Sequence, residues 1–146
     1  MPHDDSCNTE SVLFNAMPKP VEETNAELTE RWDRIHLVRD DVKKALENAR
    51  TEKIIGASLD AEISVYADGE MYDFLSTIDD LASVFIVSKA SLIKGGEGEF
   101  KGEQPISVTV KHAEGEKCAR CWKYSGDIGA DAEHPCLCAR CASVLK

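Results

Sequence analysis

Four of the six cysteines in this 146-residue sequence form two Cys-x-x-Cys pairs near its C-terminal end. Cys118 pairs with Cys121. Cys138 pairs with Cys141, after an interval of 16 residues. Each pair places two thiolates on one tight turn, and two such turns complete the tetrahedron of sulfur ligands that zinc prefers. Because four thiolates fill the coordination shell and leave no place for a reactive water, the spacing predicts one structural zinc ion.

Other chemistry is compatible with parts of this pattern. Iron accepts the same four thiolates, and the spacing alone does not separate it from zinc. His134 or Cys136 could supply the third ligand instead of Cys138. Pairing Cys138 with Cys141 is preferred because both pairs then share one geometry, which leaves Cys136 as a spare thiol. A disulfide framework is disfavoured, since nothing else in the sequence suggests an oxidising compartment.

A zinc deaminase is an enzymatic alternative that the sequence argues against. Such enzymes combine His-x-Glu with a downstream Pro-Cys-x-x-Cys, and His112 and Glu114 do precede Pro135-Cys136. The second cysteine of that motif would fall at position 139, which is Ala139. The sequence also contains no nucleophile elbow and no phosphate-binding loop. We therefore predict no catalytic residue.

Cations and aromatic residues surround the cysteine pairs. Residues 117–146 contain five Lys or Arg and three Asp or Glu. Residues 1–116 contain 12 Lys or Arg and 24 Asp or Glu. Cationic groups suit contact with phosphates, and aromatic rings stack on the bases of single-stranded RNA. The candidates for RNA contact are Arg120, Trp122, Lys123 and Arg140. Trp122 is equally compatible with packing under the first pair as a small core of the module.

The overall composition narrows the class of protein. The formal net charge of -10 argues against a protein that coats nucleic acid regardless of sequence, because neutralising phosphates requires Lys and Arg. No apolar run approaches the roughly 20 residues of a membrane span, and the N-terminus lacks a basic-then-apolar signal. We therefore expect no membrane partner and no secretion. The apolar fraction of 42% suffices for a hydrophobic core.

A long amphipathic helix is the first clear element. Thr24 is the predicted N-cap, and the helix runs for about seven turns to end near Arg50 or Glu52. We expect Asp40 and Asp41 to be solvated. Residues at helical spacing form an apolar stripe that should pack into the core: Leu28, Trp32, Ile35, Val38, Val42, Ala45, Leu46 and Ala49.

The rest of the chain predicts a small α+β fold with a mixed sheet, followed by a small zinc-ribbon-like module. Alternation with a period of two predicts strands over residues 59–66 and 106–110, and a short helix lies between 71 and 78. Residues 84–87 are an apolar run, interpreted as a buried strand that reaches residue 93. The predicted segments are an extended lead-in (1–23) with a short strand at Val12–Phe14, an α+β domain (24–113) and the zinc module (114–146).

The motifs of the module resemble a known family. They are Cys118-Ala119-Arg120-Cys121-Trp122-Lys123-Tyr124, Asp127-Ile128-Gly129, His134-Pro135 and Leu137-Cys138-x-Arg140-Cys141. This pattern resembles the C-terminal zinc module of bacterial-type isoleucyl-tRNA synthetases. The upstream part resembles the segment that follows the anticodon-binding helices in that family, on the residues Trp32, Val38-Arg39, Val42-x-Lys44-Ala45-Leu46-Glu47, Lys53-x-Ile55-Gly56 and Ile86-Val87-Ser88. The resemblance covers residues 2–145.

The resemblance implies the role of one part in a larger ligase. The His-Ile-Gly-His and Lys-Met-Ser-Lys-Ser signatures of the family are absent, so the chain would be a class I synthetase fragment that is not catalytic by itself, with ATP used only by the full-length enzyme. The implied partners are the anticodon-stem region of tRNA(Ile) and the rest of the synthetase chain, with no DNA expected. Docking on the anticodon domain is the alternative role of the cations and Trp122. The implied location is the cytoplasm.

Two other classes of protein share parts of the pattern. One is a free-standing zinc module that mediates protein–protein contact or general RNA interaction. The other resembles the zinc finger of base-excision DNA glycosylases, which has a related knuckle. The glycosylase is disfavoured because its catalytic N-terminus has no counterpart in this sequence.

Overall fold

A computed structural model describes residues 10–15 and 25–145 of the chain. In the first of these stretches Val12–Phe14 form a 3₁₀ turn rather than the short strand that the sequence predicted. A segment of three residues does not form a stable strand without a neighbouring strand with which to pair. The rest of the predicted extended lead-in, residues 1–9 and 16–23, lies outside the described residues.

The first helix, α1 (Ala26–Thr51), has the length and end point that the sequence predicted. Its N-cap is Asn25, whose side chain accepts the backbone N–H of Leu28 at 3.0 Å. The predicted N-cap, Thr24, lies outside the described residues. The stripe is buried from its third member onward, at Ile35, Val38, Val42, Ala45, Leu46 and Ala49.

A four-stranded mixed sheet forms the centre of the fold, in the order β2-β1-β4-β3. Strand β1 pairs in parallel with β2 and antiparallel with β4, and the short β3 adds to the far side of β4. The strands are β1 (Ala61–Ala67), β2 (Lys89–Lys94), β3 (Phe100–Lys101) and β4 (Ile106–His112). The α+β class and the mixed sheet are therefore confirmed.

Two short helices, α2 (Gly69–Ser76) and α3 (Leu81–Phe85), connect β1 to β2. The prediction of a strand at residues 84–87 is wrong, because α3 occupies the first half of that run. The Asp80 side chain caps α3 by accepting the backbone N–H of Ser83, and Ile86 ends it in the left-handed conformation. A run of four apolar residues does not distinguish a buried strand from a buried helix. The strand begins only at Lys89.

The core lies between the sheet and the helices. Helix α1 packs against β4, and α2 and α3 pack against β2. The largest fully buried side chains include Ile63, Val65 and Leu75. No helix in the described part of the chain is both long enough and apolar enough to cross a membrane.

Asp41 is buried in α1, contrary to the expectation that it would be solvated. Its side chain is 2% exposed and its Oδ2 accepts the backbone N–H of Gln104 at 2.7 Å. Lys44 lies 3.6 Å from its other oxygen. A Cβ at Gly102 would lie only 2.2 Å from this carboxylate, so the glycine permits the close approach. The carboxylate thus fixes the loop before β4 to the helix.

Replacing this buried carboxylate should destabilise the fold. We expect Asp41→Ala to lower the free energy of unfolding by about 1–3 kcal/mol, because the Gln104 N–H loses its acceptor inside the protein. Asp40→Ala is the control, since Asp40 is exposed and forms a surface ion pair with Lys43, whose loss should cost about 0.5 kcal/mol or less. Urea denaturation of both variants measures the difference, and equal costs would contradict the assignment.

Candidate metal centre

The C-terminal module is built from a two-stranded hairpin and one turn of helix. Strand β5 (Glu116–Lys117) pairs antiparallel with β6 (Tyr124–Ser125). The first cysteine pair lies in the turn between these strands. Helix α4 (Ala139–Ser143) begins directly after Cys138 and carries Cys141. The second pair therefore lies at a helix start, and we call residues 115–144 the finger.

The four paired cysteines converge on one point. The Sγ atoms of Cys118, Cys121, Cys138 and Cys141 all lie within 4.8 Å of one another. Cys121 is half-buried and the other three are buried. Four thiols at these separations suit a tetrahedral Zn²⁺ site with sulfur ligands. The tertiary structure thus assembles a complete donor set from two segments of the chain.

The other candidate ligands lie outside this cluster. Among the described residues, neither Cys136 nor His134 is in the group of ligand atoms close enough to share an ion, and Cys136 is exposed. His112 and Glu114 of the deaminase alternative are absent from the group as well. The ring of His112 instead contacts the ring of Tyr124 edge-on, with 5.0 Å between their centroids.

The local environment gives the thiols of Cys118, Cys121 and Cys138 different pKa values. Burial raises the pKa of Cys138 to about 12, and burial also raises the pKa of Cys121. Burial acts in the same direction on Cys118, but hydrogen bonds from the backbone of Cys121 and Cys138 outweigh it and bring its pKa to about 6. Because metals bind the thiolate form, occupancy at neutral pH would displace protons from Cys121 and Cys138.

Trp122 projects away from the finger. Its backbone is left-handed, with φ of +64°, and its N–H donates to the carbonyl of Cys118 at 2.9 Å, which closes the first turn. The indole is 62% exposed. The alternative that Trp122 forms the core of the module is therefore wrong. The finger's own apolar core consists of the cysteines with the half-buried Ile128 and Leu137.

The predicted cations divide into two groups. Arg120 and Arg140 are both exposed and line the same shallow depression beside Cys121 and Cys141. The ammonium of Lys123 points instead toward the α+β part of the chain, residues 25–113, which we call the body. Its Nζ lies 3.4 Å from the Oγ of Ser83. The structure therefore brings together two of the three cations proposed to contact RNA.

The finger is attached to the body through Ser88, which sequence reasoning did not identify as a contact. The Ser88 Oγ accepts the backbone N–H of Tyr124 at 2.7 Å, and its hydroxyl donates to the carbonyl of Leu59. Lys117 adds an ion pair with Asp60 at 3.5 Å. A partly buried serine beside a strand gives no signal in the sequence, because its partner lies 36 residues away.

Comparison with known proteins agrees with this geometry. Residues 115–144 match the family described as the zinc finger found in FPG and IleRS. An isoleucine–tRNA ligase from Carboxydothermus hydrogenoformans is 49% identical over 139 residues, which cover 93% of this chain and 15% of the relative. One from Caldanaerobacter subterraneus subsp. tengcongensis is 43% identical over 152 residues, which cover all of this chain and 16% of the relative.

A third ligase, from Geobacter sulfurreducens, is 46% identical over 123 residues, covering 82% of this chain and 13% of the relative.

The finger and its clustered thiols define a zinc-finger protein with one structural zinc ion. By sequence the chain matches the C-terminal regions of isoleucine–tRNA ligases over its whole length. It spans about one-sixth of the length of these relatives, at 16% for the longest match.

Loss of the Ser88 hydroxyl should loosen the attachment of the finger. We expect Ser88→Ala to speed amide hydrogen exchange in the β5–β6 hairpin by roughly tenfold, since one lost hydrogen bond weakens local closure by about 1–2 kcal/mol. Ser91→Ala is a change of the same size in strand β2, where Ser91 pairs with Ser64 of β1, and should leave that exchange unchanged. Mass spectrometry of a peptide spanning residues 116–126 measures both. Identical exchange in the two variants would rule out the anchor.

Proposed function

We propose that this chain is the tRNA-binding and zinc-binding C-terminal part of an isoleucine–tRNA ligase. The observation that carries the proposal is the match to such ligases over the whole chain, 43% identical across 152 residues. Activation of isoleucine with ATP and transfer to tRNA would belong to the other domains of the ligase. As a part of that enzyme, the chain would act in the cytoplasm. The α+β domain (24–113) would join the zinc module (114–146), which contains the finger, to the rest of the ligase chain.

Cys118, Cys121, Cys138 and Cys141 are the zinc ligands in this proposal. Support comes from their convergence within 4.8 Å and from their spacing in two pairs. The ion would be structural, because four protein ligands leave no open coordination position. Its main effect would be to hold the two segments of the finger together, since the finger has few apolar side chains of its own to bury.

Removing one ligand should release the metal and loosen only the finger. We expect Cys121→Ser to lose zinc, measured by mass spectrometry of the metal content, because three thiolates hold the ion far less tightly than four. Helix α1 has its own core against β4, so most of the helical circular dichroism should persist. Cys136→Ser, a change of the same type at an exposed thiol outside the cluster, should keep the zinc. Loss of helicity throughout the chain would contradict this two-part picture.

The RNA in this proposal is the anticodon-stem region of tRNA(Ile). The residues that would contact it are Arg120, Trp122, Lys123 and Arg140. The exposed indole of Trp122 is free to stack on a base, and the two arginines line one depression on the same module. Lys123 would have to leave Ser83 to reach a phosphate. The body, with twice as many acidic as basic residues in 1–116, would repel the RNA and favour approach from the finger.

A tRNA-binding experiment tests the proposal. We expect the chain to prefer tRNA(Ile) to bulk tRNA, with an affinity that falls markedly as the salt concentration rises. The double variant Arg120→Gln/Arg140→Gln should bind more weakly, and the slope of log affinity against log salt concentration should become smaller by about 2. Trp122→Ala should weaken the free energy of RNA binding by about 1–3 kcal/mol, because stacking on a base is lost. Lys101→Gln, which removes an exposed cation of the body, is the control. Indifference of the chain to every RNA would contradict the proposal and favour a protein-binding module.

A further inference from the structure

Two of the four paired cysteines border the shallow depression on the finger, where their sulfur atoms could react as well as bind metal. The depression is lined by Arg120, Cys121, Arg140, Cys141 and Val144. Both arginines and Val144 are exposed, so the depression opens to solvent. Cys121 is half-buried, whereas Cys141 is buried. A small polar molecule that enters the depression would therefore meet Cys121 first.

Cys121 combines the two properties that make a cysteine reactive. Binding to zinc keeps cysteine sulfur in the thiolate form at neutral pH, and the thiolate is the form that attacks electrophiles. Susceptibility to oxidation follows thiolate character together with access to solvent. Cys118 and Cys138, the remaining members of the cluster, are buried like Cys141. The four sulfurs thus share one chemistry, and access favours Cys121.

The charges around the depression suit an oxidant whose reduction releases an anion. Arg120 and Arg140 contribute two guanidinium groups, and the described residues that line the depression include no carboxylate. Asp80, which interacts electrostatically with Arg140, caps helix α3 outside the depression. A hydroperoxide releases hydroxide when a thiolate attacks it, and fixed cations stabilise the negative charge that develops in that step. Hydroperoxides are therefore the class of oxidant that these residues favour.

A second sulfur is placed to complete the reaction. The Sγ of Cys138 lies 3.9 Å from the Sγ of Cys121. A disulfide bond is about 2.05 Å long, so an approach of about 2 Å would join the two sulfurs. Cys121 lies in the turn between β5 and β6, and Cys138 is the N-cap of α4. A disulfide between them would connect the two segments of the finger.

We propose that Cys121 is an oxidation site for hydroperoxides, with Cys138 as its disulfide partner. The Cys121 thiolate attacks one oxygen of the peroxide. An S–O bond forms, the O–O bond breaks and hydroxide leaves, so the sulfur is oxidised to a sulfenic acid and the peroxide is reduced. The Cys138 thiolate then attacks the Cys121 sulfur, which forms the disulfide and releases a second hydroxide. Protons from the buffer neutralise both hydroxides.

Oxidation would open the metal centre without separating the two segments of the finger. Once Cys121 and Cys138 share a disulfide, Cys118 and Cys141 are the thiols left in the cluster, and two thiolates do not complete a zinc shell. A thiol reductant would restore the set of four. The oxidation does not depend on the function proposed above. Its effect on RNA contact does, because Arg120 and Arg140 lie on different segments of a finger that would have lost its ion.

Release of zinc by hydrogen peroxide tests the proposal on the zinc-loaded chain, without RNA. The variant Cys7→Ser/Cys136→Ser keeps only the four paired cysteines. We expect it to release one zinc ion for each peroxide consumed, measured with a chromogenic chelator against a blank without peroxide. Dimedone, which traps sulfenic acids, should label Cys121. Without the trap, peptide mapping should find the Cys121–Cys138 disulfide, and reduction with added zinc should restore the metal content.

A second variant tests whether the oxidant enters through the depression. We expect zinc release from Arg120→Gln/Arg140→Gln to be slower by about threefold or more, because hydroxide then leaves without two nearby cations. Lys101→Gln removes an exposed cation of the body and should keep the original rate.

Four results would overturn the proposal. Dimedone on Cys118 or Cys141 in place of Cys121 would move the site of attack. A disulfide confined to one Cys-x-x-Cys pair would exclude Cys138 as the partner. An unchanged rate in the arginine variant would exclude the depression as the entrance. Retention of zinc at peroxide concentrations that oxidise the metal-free chain would exclude the reaction altogether. Because no RNA is present, none of these results bears on the tRNA-binding test.

Discussion

Convergence of four thiols is the constraint on which the finger depends. The finger contains few apolar side chains for a core of ordinary composition, and the partly buried Ile128 and Leu137 pack against its cysteines. In a unit this small the free energy of metal binding replaces the hydrophobic stabilisation that larger domains obtain from burial. Backbone hydrogen bonds, such as that from the N–H of Ala119 to the carbonyl of Cys136 at 3.1 Å, join the two segments of the finger, and an ion shared by the four cysteines would add to them. The positions of Trp122 and the arginines follow from that geometry.

The α+β body contributes orientation rather than chemistry. Its sheet ends beside the finger, and the Ser88 hydroxyl joins the carbonyl of Leu59 to the amide of Tyr124. Lys117 and Lys123 add contacts to Asp60 and Ser83. These polar contacts are individually weak, but together they attach the finger to the α+β part of the chain.

Several local features could be predicted because short-range patterns determine them. The cysteine spacing, the length of α1 and the alternation in β1 and β4 each depend on residues close in sequence. Two errors concern residues 84–87 and Asp41, and both had local signals that the sequence analysis did not use. Val84 and Phe85 lie in helix α3, which the Asp80 side chain caps, and the strand begins only at Lys89. Asp41 falls at helical spacing between Val38 and Val42, and that position was the signal for its burial.

The sequence by itself predicted the grouping of the four paired cysteines, the α+β class and the resemblance to isoleucine–tRNA ligases, because each follows from residue types at fixed spacings. Tertiary structure alone decided which cations face outward, that Trp122 is exposed, and that Leu28 and Trp32 stay uncovered. It also decided that Ser88 holds the finger. The physical reason is that exposure and hydrogen bonding depend on groups that lie far apart along the chain. Only packing of the complete fold brings those groups together.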